Sequence, residues 1–328
     1  MFGKLNLSVI ALTYRRPKYL EIFLQSLADC NLDGVGEIIL AINGQDSFGE
    51  EIAESFKSRL SSLRVIVQPR RSRGEARNLA VSQAKGNWFY FLDDDVVIPP
   101  DLFQKARQII TENPMAWGIG GPNLTPKESG LFEKSVGRIL ESRFGAGPMR
   151  RRHKALGKIV TADDRAFALC NLCLRREVFS DLGFHFDAHL VSAEENLLIA
   201  RLEKIGRHFF YVPELSVYHF RRGTWNAVFL QAFKSGAGRR QAMMRMPSAT
   251  KAVFFLPLFF RVYLFSLILM RPSWPYWLGL WAYFLFDFLE AVFWGIESKS
   301  FRAMTQFFLL APACHLAYAF GFIFGGWV

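Results

Sequence analysis

Trp88-Phe89-Tyr90-Phe91-Leu92-Asp93-Asp94-Asp95 sets an unbroken apolar run directly before three carboxylates. A short run of this kind, entered from a turn at Gly86-Asn87, reads as a strand buried on both faces, as strands of parallel sheets are. Upstream of it, Leu7–Leu12 reads as another strand, and Tyr19 to Leu27 as a helix with Leu20, Phe23, Leu24 and Leu27 on one face. A strand over Glu37–Ile42, a helix around Glu50–Leu60, a strand over Arg64–Val67 and a helix over Glu75–Ala84 complete the alternation. The pattern predicts an α/β domain with a mostly parallel central sheet, whose ligands bind beyond the carboxyl ends of the strands. Asn43-Gly44 and Asp93–Asp95 fall at those ends.

Two readings compete for the aspartates. A solvated turn after a strand is the structural one. A cation site is the functional one, because adjacent carboxylates repel and a chain that sets them at the mouth of a buried strand needs positive charge to offset them. Mg2+ or Mn2+ carrying a diphosphate suits oxygen ligands of that kind.

The chain has 328 residues, enough for one large α/β domain and a second part, and 51% of them are hydrophobic although the net charge is +11. That apolar excess is concentrated after Lys251, whereas residues 1–220 have the pattern of a soluble domain. Leu5–Leu12 is ended at once by Tyr14-Arg15-Arg16-Pro17, so no secretory signal is read there and the first domain is expected in the cytoplasm. Cys30, Cys170, Cys173 and Cys314 are too few and too scattered for a disulfide framework. Cys170-x-x-Cys173 lacks a second pair or a nearby His to complete a tetrahedral zinc site, which leaves core packing as its expected role.

From Leu215 to Phe286 no Asp or Glu occurs, while Arg221, Arg222, Lys234, Arg239, Arg240, Arg245 and Lys251 all do. Such a stretch leading into apolar spans reads as contact with anionic lipid headgroups on the cytoplasmic side. Nucleic acid is set aside, because no nucleic-acid-binding motif accompanies the charge. Within 221–250, Trp225, Val228, Phe229, Ala232 and Phe233 form an apolar stripe beside the cations, as an interfacial helix does. Residues 251–328 then hold three membrane-length segments, Ala252–Met270, Trp274–Ile296 and Ala303–Val328, joined by Arg271-Pro272-Ser273 and by Glu297–Arg302. Pro257 and Arg261 sit in the middle of the first, and an unpaired Arg at the bilayer centre costs about 2.5–3.5 kcal/mol on insertion scales. An interfacial or re-entrant path is the alternative for that segment, and Asp287 and Glu290 on one face of the second are the candidate partners of Arg261. Earlier in the chain, Leu131 to Phe144 has a helical apolar face, broken at Gly145-Ala146-Gly147-Pro148. The cationic run Arg150–Lys154 follows, read either as a solvated loop or as one that meets phosphate or lipid.

Several pieces recur together in a known order. The strand Leu7–Leu12 with Thr13-Tyr14-Arg15-Arg16-Pro17, then Gly74-Glu75-Ala76-Arg77-Asn78-Leu79-Ala80, then Phe91 to Asp95, resemble the inverting family-2 glycosyltransferases of the GT-A fold. So do Arg175-Arg176-Glu177, Ala193-Glu194-Glu195 and Val212-Pro213-Glu214 through Tyr218-His219. The resemblance covers roughly residues 5–220. It implies that the aspartates hold a nucleotide-sugar diphosphate through Mg2+ or Mn2+, with Asp93, Asp95 and His219 as metal ligands and Asp95 foremost. It places Thr13, Asn43, Asp46, Arg77, Asn78, Asp93 and Asp94 about the nucleotide. Glu195 would be the base that deprotonates the acceptor hydroxyl, with Glu194 the alternative.

Two departures stand out: a Glu occupies the position of the family's usual Asp at 195, and Ile42 stands where an acidic residue commonly holds the nucleobase. Asn43 or Asp46 is the expected substitute for the latter, with uracil the default base. Gln241 is followed by Ala242-Met243-Met244, so the Gln-x-x-Arg-Trp signature of processive synthases is absent and transfer of a single sugar is expected. The acceptor implied is a lipid or lipid-linked saccharide. Formation of a polyprenyl-phosphate sugar and a non-catalytic membrane scaffold on the same fold are the alternatives.

Overall fold

The computed structural model describes residues 5–270 and 273–325, which divide into two compact units. The first takes in residues up to 126 together with 151–189 and 194–220, and the second takes in 127–150, 190–193 and the chain from 221 onward.

In the first unit the strands are β1 (Leu7–Thr13), β2 (Val35–Asn43), β3 (Leu63–Gln68), β4 (Trp88–Asp93), β5 (Val96–Val97), β6 (Ala116–Gly120), β7 (Asn123–Leu124), β8 (Val160–Thr161), β9 (Asn171–Arg175), β10 (His208–Tyr211) and β11 (Val217–His219). The main sheet runs β3-β2-β1-β4-β9-β6-β10-β8, and β5-β11-β7 form a small second sheet. β1 pairs in parallel with both β2 and β4, β2 with β3, and β6 with β10. The strand β9, which the sequence pattern did not reveal, runs antiparallel between β4 and β6.

Both faces of this sheet are buried, and the period of two decides which side chain goes where. Trp88, Tyr90 and Leu92 of β4 join one apolar cluster with Leu7, Val9 and Ala11 of β1, while Phe89 and Phe91 join the cluster on the other face. Complete burial of an apolar side chain of this size contributes about 1.5–3 kcal/mol. A slip of one residue in β4 would therefore exchange both sets and move the aspartates out of place. The register pairs Leu12 with Asp93 and Thr13 with Ile42, so β1, β2 and β4 end along one edge.

Helices in this unit start where caps place them. The helix expected from Glu50 instead begins at Ser47, because the Asp46 side chain caps it by accepting from Gly49 N at 3.1 Å. The helix Arg73–Ser82 opens on a capping box: Glu75 N donates to Ser72 Oγ at 3.3 Å and Ser72 N donates to Glu75 Oε2 at 3.1 Å. That start sets Arg77 one turn into the helix. The cationic run Arg151-Arg152-His153 is tied down, with Arg152 donating to the carbonyls of Arg165 at 2.9 Å and Asp164 at 2.7 Å, and His153 Nδ1 lying 2.8 Å from Asn123 Oδ1.

Among the described residues of the second unit, three stretches are long and apolar enough to cross a membrane: Ala252–Met270, Trp274–Glu297 and Phe301–Phe324. The expected connector residues Arg271 and Pro272, and the expected end of the last span at 326–328, lie outside the described residues. Pro257 is not mid-helix as the sequence suggested. The α-helix there is Leu256–Met270, and Pro257 falls in its first turn, where a missing N–H costs least. The expected partnership of Arg261 with Asp287 or Glu290 is also not found. Arg261 lies over the rings of Phe320 and Phe324, 3.7 and 5.5 Å from their centroids, and Glu290 pairs with Arg138 at 3.5 Å. A guanidinium in apolar surroundings gains from the negative face of a ring, which an aspartate elsewhere on a helix cannot match without approach.

The helix Leu131–Glu141 is part of this second unit. Trp294 Nε1 donates to Ser135 Oγ at 3.0 Å, and Val136 and Ile139 join Ala291, Phe307 and Leu310 in its apolar cluster. The helix Trp225–Arg245 also belongs here and meets the last span through glycine: a Cβ on Gly321 would fall 1.9 Å from Phe233 O. Backbones approach that closely only where side chains are absent.

Candidate active site

The carboxyl ends of β1 and β4 bring Thr13 beside the aspartates, and Thr13 Oγ1 donates to Asp94 Oδ2 at 2.7 Å. Asp94 and Asp95 are both only 2% exposed. One guanidinium serves them both: an Arg16 nitrogen lies 2.7 Å from Asp94 Oδ1 and 2.8 Å from Asp95 Oδ2. The antiparallel pairing of β11 with β5 carries His219 to the same place, its Nε2 3.1 Å from Asp95 Oδ1. Burial pushes the Asp94 carboxyl up to about 6, with Arg16 opposing the rise and Asp95 adding to it.

On the other side of the cluster, Arg77 is buried between two acids. It lies 3.1 Å from Asp93 Oδ1 and 2.6 Å from Glu194 Oε1, so one guanidinium joins the first of the three aspartates to the start of the helix Glu194–Lys204. Arg73 approaches Glu194 at 3.9 Å. The two glutamates consequently differ. Burial raises the Glu194 carboxyl, but Arg77 and Arg73 outweigh it and leave the group below the ordinary glutamate range. Glu195 is pushed above that range, first by burial and then by the neighbouring Glu194 charge. Ala193, immediately before them, has a left-handed φ of 67°, a conformation that a residue with a Cβ adopts at a cost.

Asp93, Asp95, Glu194, Glu195 and Asp94 thus gather against the guanidiniums of Arg16, Arg73 and Arg77, an excess of negative charge that suits a divalent cation. Ligand atoms of Asp93, Cys170 and His219 lie within 4.8 Å of one another. Carboxylates with an imidazole form a donor set that fits Mg2+ or Mn2+. The Cys170 thiol at the edge of that set accepts from Asn123 Nδ2 at 3.3 Å.

Several residues expected at the nucleotide bond the backbone in this structure. Asn78 clamps the Phe186 backbone, donating to its carbonyl at 2.8 Å and accepting from its N–H at 3.0 Å. Asn43 does the same for Arg71, at 3.0 and 2.9 Å. Asp46 accepts from Arg15 N at 2.5 Å besides capping its helix. Of the residues assigned from sequence, Thr13, Arg77, Asp93, Asp94, Asp95, His219 and Glu194 are joined by the contacts above, and Glu195 adjoins them in the chain. Arg16, Arg73 and Cys170 were missed. The signal for Arg16 was its place directly before the helix-starting Pro17, one turn past the strand end; Cys170 was set aside for want of a nearby His, because the sequence does not show that the fold brings His219 to it.

A sequence profile described as glycosyl transferase family 2 matches residues 8–183. The uncharacterized glycosyltransferase EpsJ of Bacillus subtilis is 29% identical over 193 residues, 58% of this chain and 53% of the relative. An uncharacterized glycosyltransferase of Haemophilus influenzae is 28% identical over 110 residues, 33% of this chain and 35% of the relative. The chain therefore spans about half the length of the first relative and about a third of the second. Among solved structures, the mannosyltransferase PcManGT of Pyrobaculum calidifontis, in complex with GDP-Man and Mn2+, aligns with a TM-score of 0.65 at 14% identity, over 99% of this chain and 89% of that one. TarS of S. aureus in complex with UDP-GlcNAc aligns with a TM-score of 0.51 at 16% identity, over 94% of this chain and 91% of that one. At such identities the likeness shows the fold, and that fold is GT-A.

Proposed function

The chain belongs to glycosyl transferase family 2, and on that premise we propose that it transfers a single sugar, with inversion, from a nucleotide-sugar to a lipid or lipid-linked saccharide at the cytoplasmic face of a membrane. The observation that carries the reading is Arg77, whose guanidinium ties Asp93 to Glu194 and so separates two acids by role. Glu194 is held as a carboxylate by two cations, whereas at Glu195 burial and the Glu194 charge outweigh the pull of Arg152 and Arg77 and raise its proton affinity. Proton affinity of that kind is what a general base uses.

Glu195 takes the proton of the acceptor hydroxyl as its oxygen attacks the anomeric carbon, and the nucleoside diphosphate leaves on the opposite face of the sugar. Asp93, Asp95 and His219 would hold Mg2+ or Mn2+, which when bound supplies positive charge to the departing diphosphate. Arg16 keeps Asp94 and Asp95 from repelling each other apart, and Arg77 holds Asp93 in place. PcManGT, of the same fold, is in complex with GDP-Man and Mn2+, which supports a metal-bound nucleotide-sugar as the donor class.

The acceptor class is argued from the second unit. Phe259, Phe265, Trp281 and Phe293 are each more than half exposed on the apolar helices. Exposed aromatic surface of that extent needs lipid around it. Of the cations between Arg221 and Lys251, Lys234 and Arg245 are exposed and suit an anionic leaflet, each one near the surface contributing about 1 kcal/mol, whereas Arg221 and Arg239 are buried, Arg239 over the Phe254 ring at 4.0 Å. Lys299 and Arg302 in the second connector agree with a cytoplasmic placement.

The test is transfer by the full chain, reconstituted in anionic vesicles with Mn2+, a panel of UDP- and GDP-sugars, and a polyprenyl-diphosphate-linked sugar as acceptor. The expected product carries the new sugar in a glycosidic bond with inverted anomeric configuration, read by nuclear magnetic resonance. A retained configuration, or an acid-labile sugar phosphate in place of a glycoside, overturns the reading.

A further inference from the structure

The helix Phe301–Phe324 is about 36 Å long, enough to cross a bilayer. Its neighbours decide whether it does. Beside its first half lie the helix Leu131–Glu141 and the short helix Arg143–Ala146: Ser135 Oγ is 3.1 Å from Gln306 Oε1, and His315 Nε2 is 3.3 Å from Gly145 O. Beside its second half lies the helix Trp225–Arg245. A Cβ on Gly236 would fall 2.1 Å from Tyr318 O, one on Gly325 would fall 2.1 Å from the Ala237 side chain, and Gln241 Nε2 donates to Gly325 O at 3.4 Å. Arg240 donates to Ile323 O. Nearer the start of the same helix, Val228 joins Phe307, Leu310 and Ala311 in one apolar cluster. The contacts advance together, from Val228 and Leu310 to Gln241 and Gly325, so these two helices run side by side in the same direction.

Helices held that closely share an orientation, and Trp225–Arg245 is unfit for the interior of a bilayer. It carries Lys234, Arg239, Arg240 and Arg245 and no acid, and its Asn226, Gln231, Lys234 and Ser235 are exposed. One cation at the bilayer centre costs about 2.5–3.5 kcal/mol on insertion scales. A crossing by Phe301–Phe324 would draw this polar helix into the hydrocarbon with it. The helix Leu278–Glu297 is bound to the same orientation, because it runs antiparallel along Phe301–Phe324. A Cβ on Gly295 would fall 2.9 Å from Met304, the Phe284 ring is 6.1 Å from that of Phe308, and the Tyr283 hydroxyl is 2.8 Å from His315 Nδ1. The α-helix Leu256–Met270 is about 22 Å long, short of a hydrocarbon core of about 30 Å.

We propose that the second unit is seated in one leaflet of an anionic bilayer, with Leu278–Glu297 and Phe301–Phe324 lying in the membrane plane, so that the chain does not cross and stays on a single side. The inference rests on the membrane placement proposed above and not on the reaction. Phe259, Phe265, Trp281, Phe286 and Phe293, each more than half exposed, dip into the acyl chains. Lys234 and Arg245, exposed on the polar helix, meet the headgroups. The apolar length that suggested three crossings serves two other ends. Phe307, Leu310 and Ala311 bury it within the unit, and the exposed rings spend the rest on lipid. A layer of this kind keeps every cation of Trp225–Arg245 at the headgroup level, which three crossings do not.

Sealed membrane vesicles from bacteria expressing the full chain with a cleavable epitope at each end test this. With protease added outside, the two epitopes are expected to share one fate, protected in right-side-out vesicles and removed in inverted ones. Ser273→Cys, at an exposed position just before the second apolar stretch, covers the case of a hairpin that crosses and returns. A membrane-impermeant maleimide should label this variant in right-side-out vesicles no more than it labels the unsubstituted chain with its four native cysteines. Opposite fates for the two epitopes, as three crossings require, overturn the proposal, and so does added labelling at position 273. Recovery of the chain from the soluble fraction without detergent, alone or paired face to face with a second copy, would overturn the membrane placement itself, and this inference with it.

Discussion

Both units bury charge, and they handle it differently. At the strand ends of the first, the aspartates and Glu194 are held by Arg16, Arg73 and Arg77 at 2.6 to 3.9 Å. In the second, Asp287 is 0% exposed and neither of its carboxylate oxygens has a hydrogen-bond partner among the described residues, while Arg261 rests on aromatic rings. The contrast teaches that burial alone does not mark a catalytic carboxylate. Shared cations distinguish the first group, because one guanidinium between two acids offsets their repulsion and fixes their separation.

The largest effect expected from breaking this contrast is at Asp95. Asp95→Ala removes a carboxylate that faces both Arg16 and His219, and it should abolish the Mn2+-dependent part of nucleoside diphosphate binding measured by calorimetry. Unchanged metal dependence would remove Asp95 from the ligand set. Next is Arg77→Met, which strands Asp93 and Glu194 without their shared cation. Loss of one partner from a buried ion pair costs about 3–5 kcal/mol, read as a lowered unfolding midpoint in detergent. The folded pKa of Glu194 is depressed, so its contribution is present above the unfolded value near 4.3 and is lost as pH falls through the lower folded value. The penalty of Arg77→Met should therefore be full at pH 7 and shrink below about pH 4. The smallest effect belongs to the second unit. Asp287→Asn should shift stability by less than about 1 kcal/mol, since no pairing is lost. A midpoint drop as large as that of Arg77→Met would erase the distinction between the two units.

How far the chain could be read in advance follows the same division. The parallel half of the sheet was legible because Leu7–Leu12 and Trp88–Leu92 are buried on both faces and need no alternation to be recognised. β9 was not, because Asn171-Leu172-Cys173-Leu174-Arg175 is short and its antiparallel placement between β4 and β6 is set by pairing across the chain. Carboxylates announce themselves in a row, so Asp93–Asp95 were found. Arg16 and Arg73 belong to the site through their places at helix starts, which sequence can suggest, but not which acids each one meets. The position of Arg261 was misjudged for a related reason: sequence shows that a charge needs a partner, and aromatic rings satisfied it here where an acid was expected.

The central claim, that Glu195 is the base and Glu194 its clamped neighbour, is tested most directly by single-turnover transfer at saturating donor and Mn2+, with Glu195→Gln and Glu194→Gln compared across pH. In the unsubstituted chain the rate should rise with pH through a limb above the ordinary glutamate range, because a base works only once its raised-pKa carboxyl has lost its proton. Glu195→Gln should lower the rate by about 10²–10⁴, abolish that limb and leave donor affinity unchanged. If Glu195→Gln keeps both the rate and the limb while Glu194→Gln loses them, the assignment is contradicted.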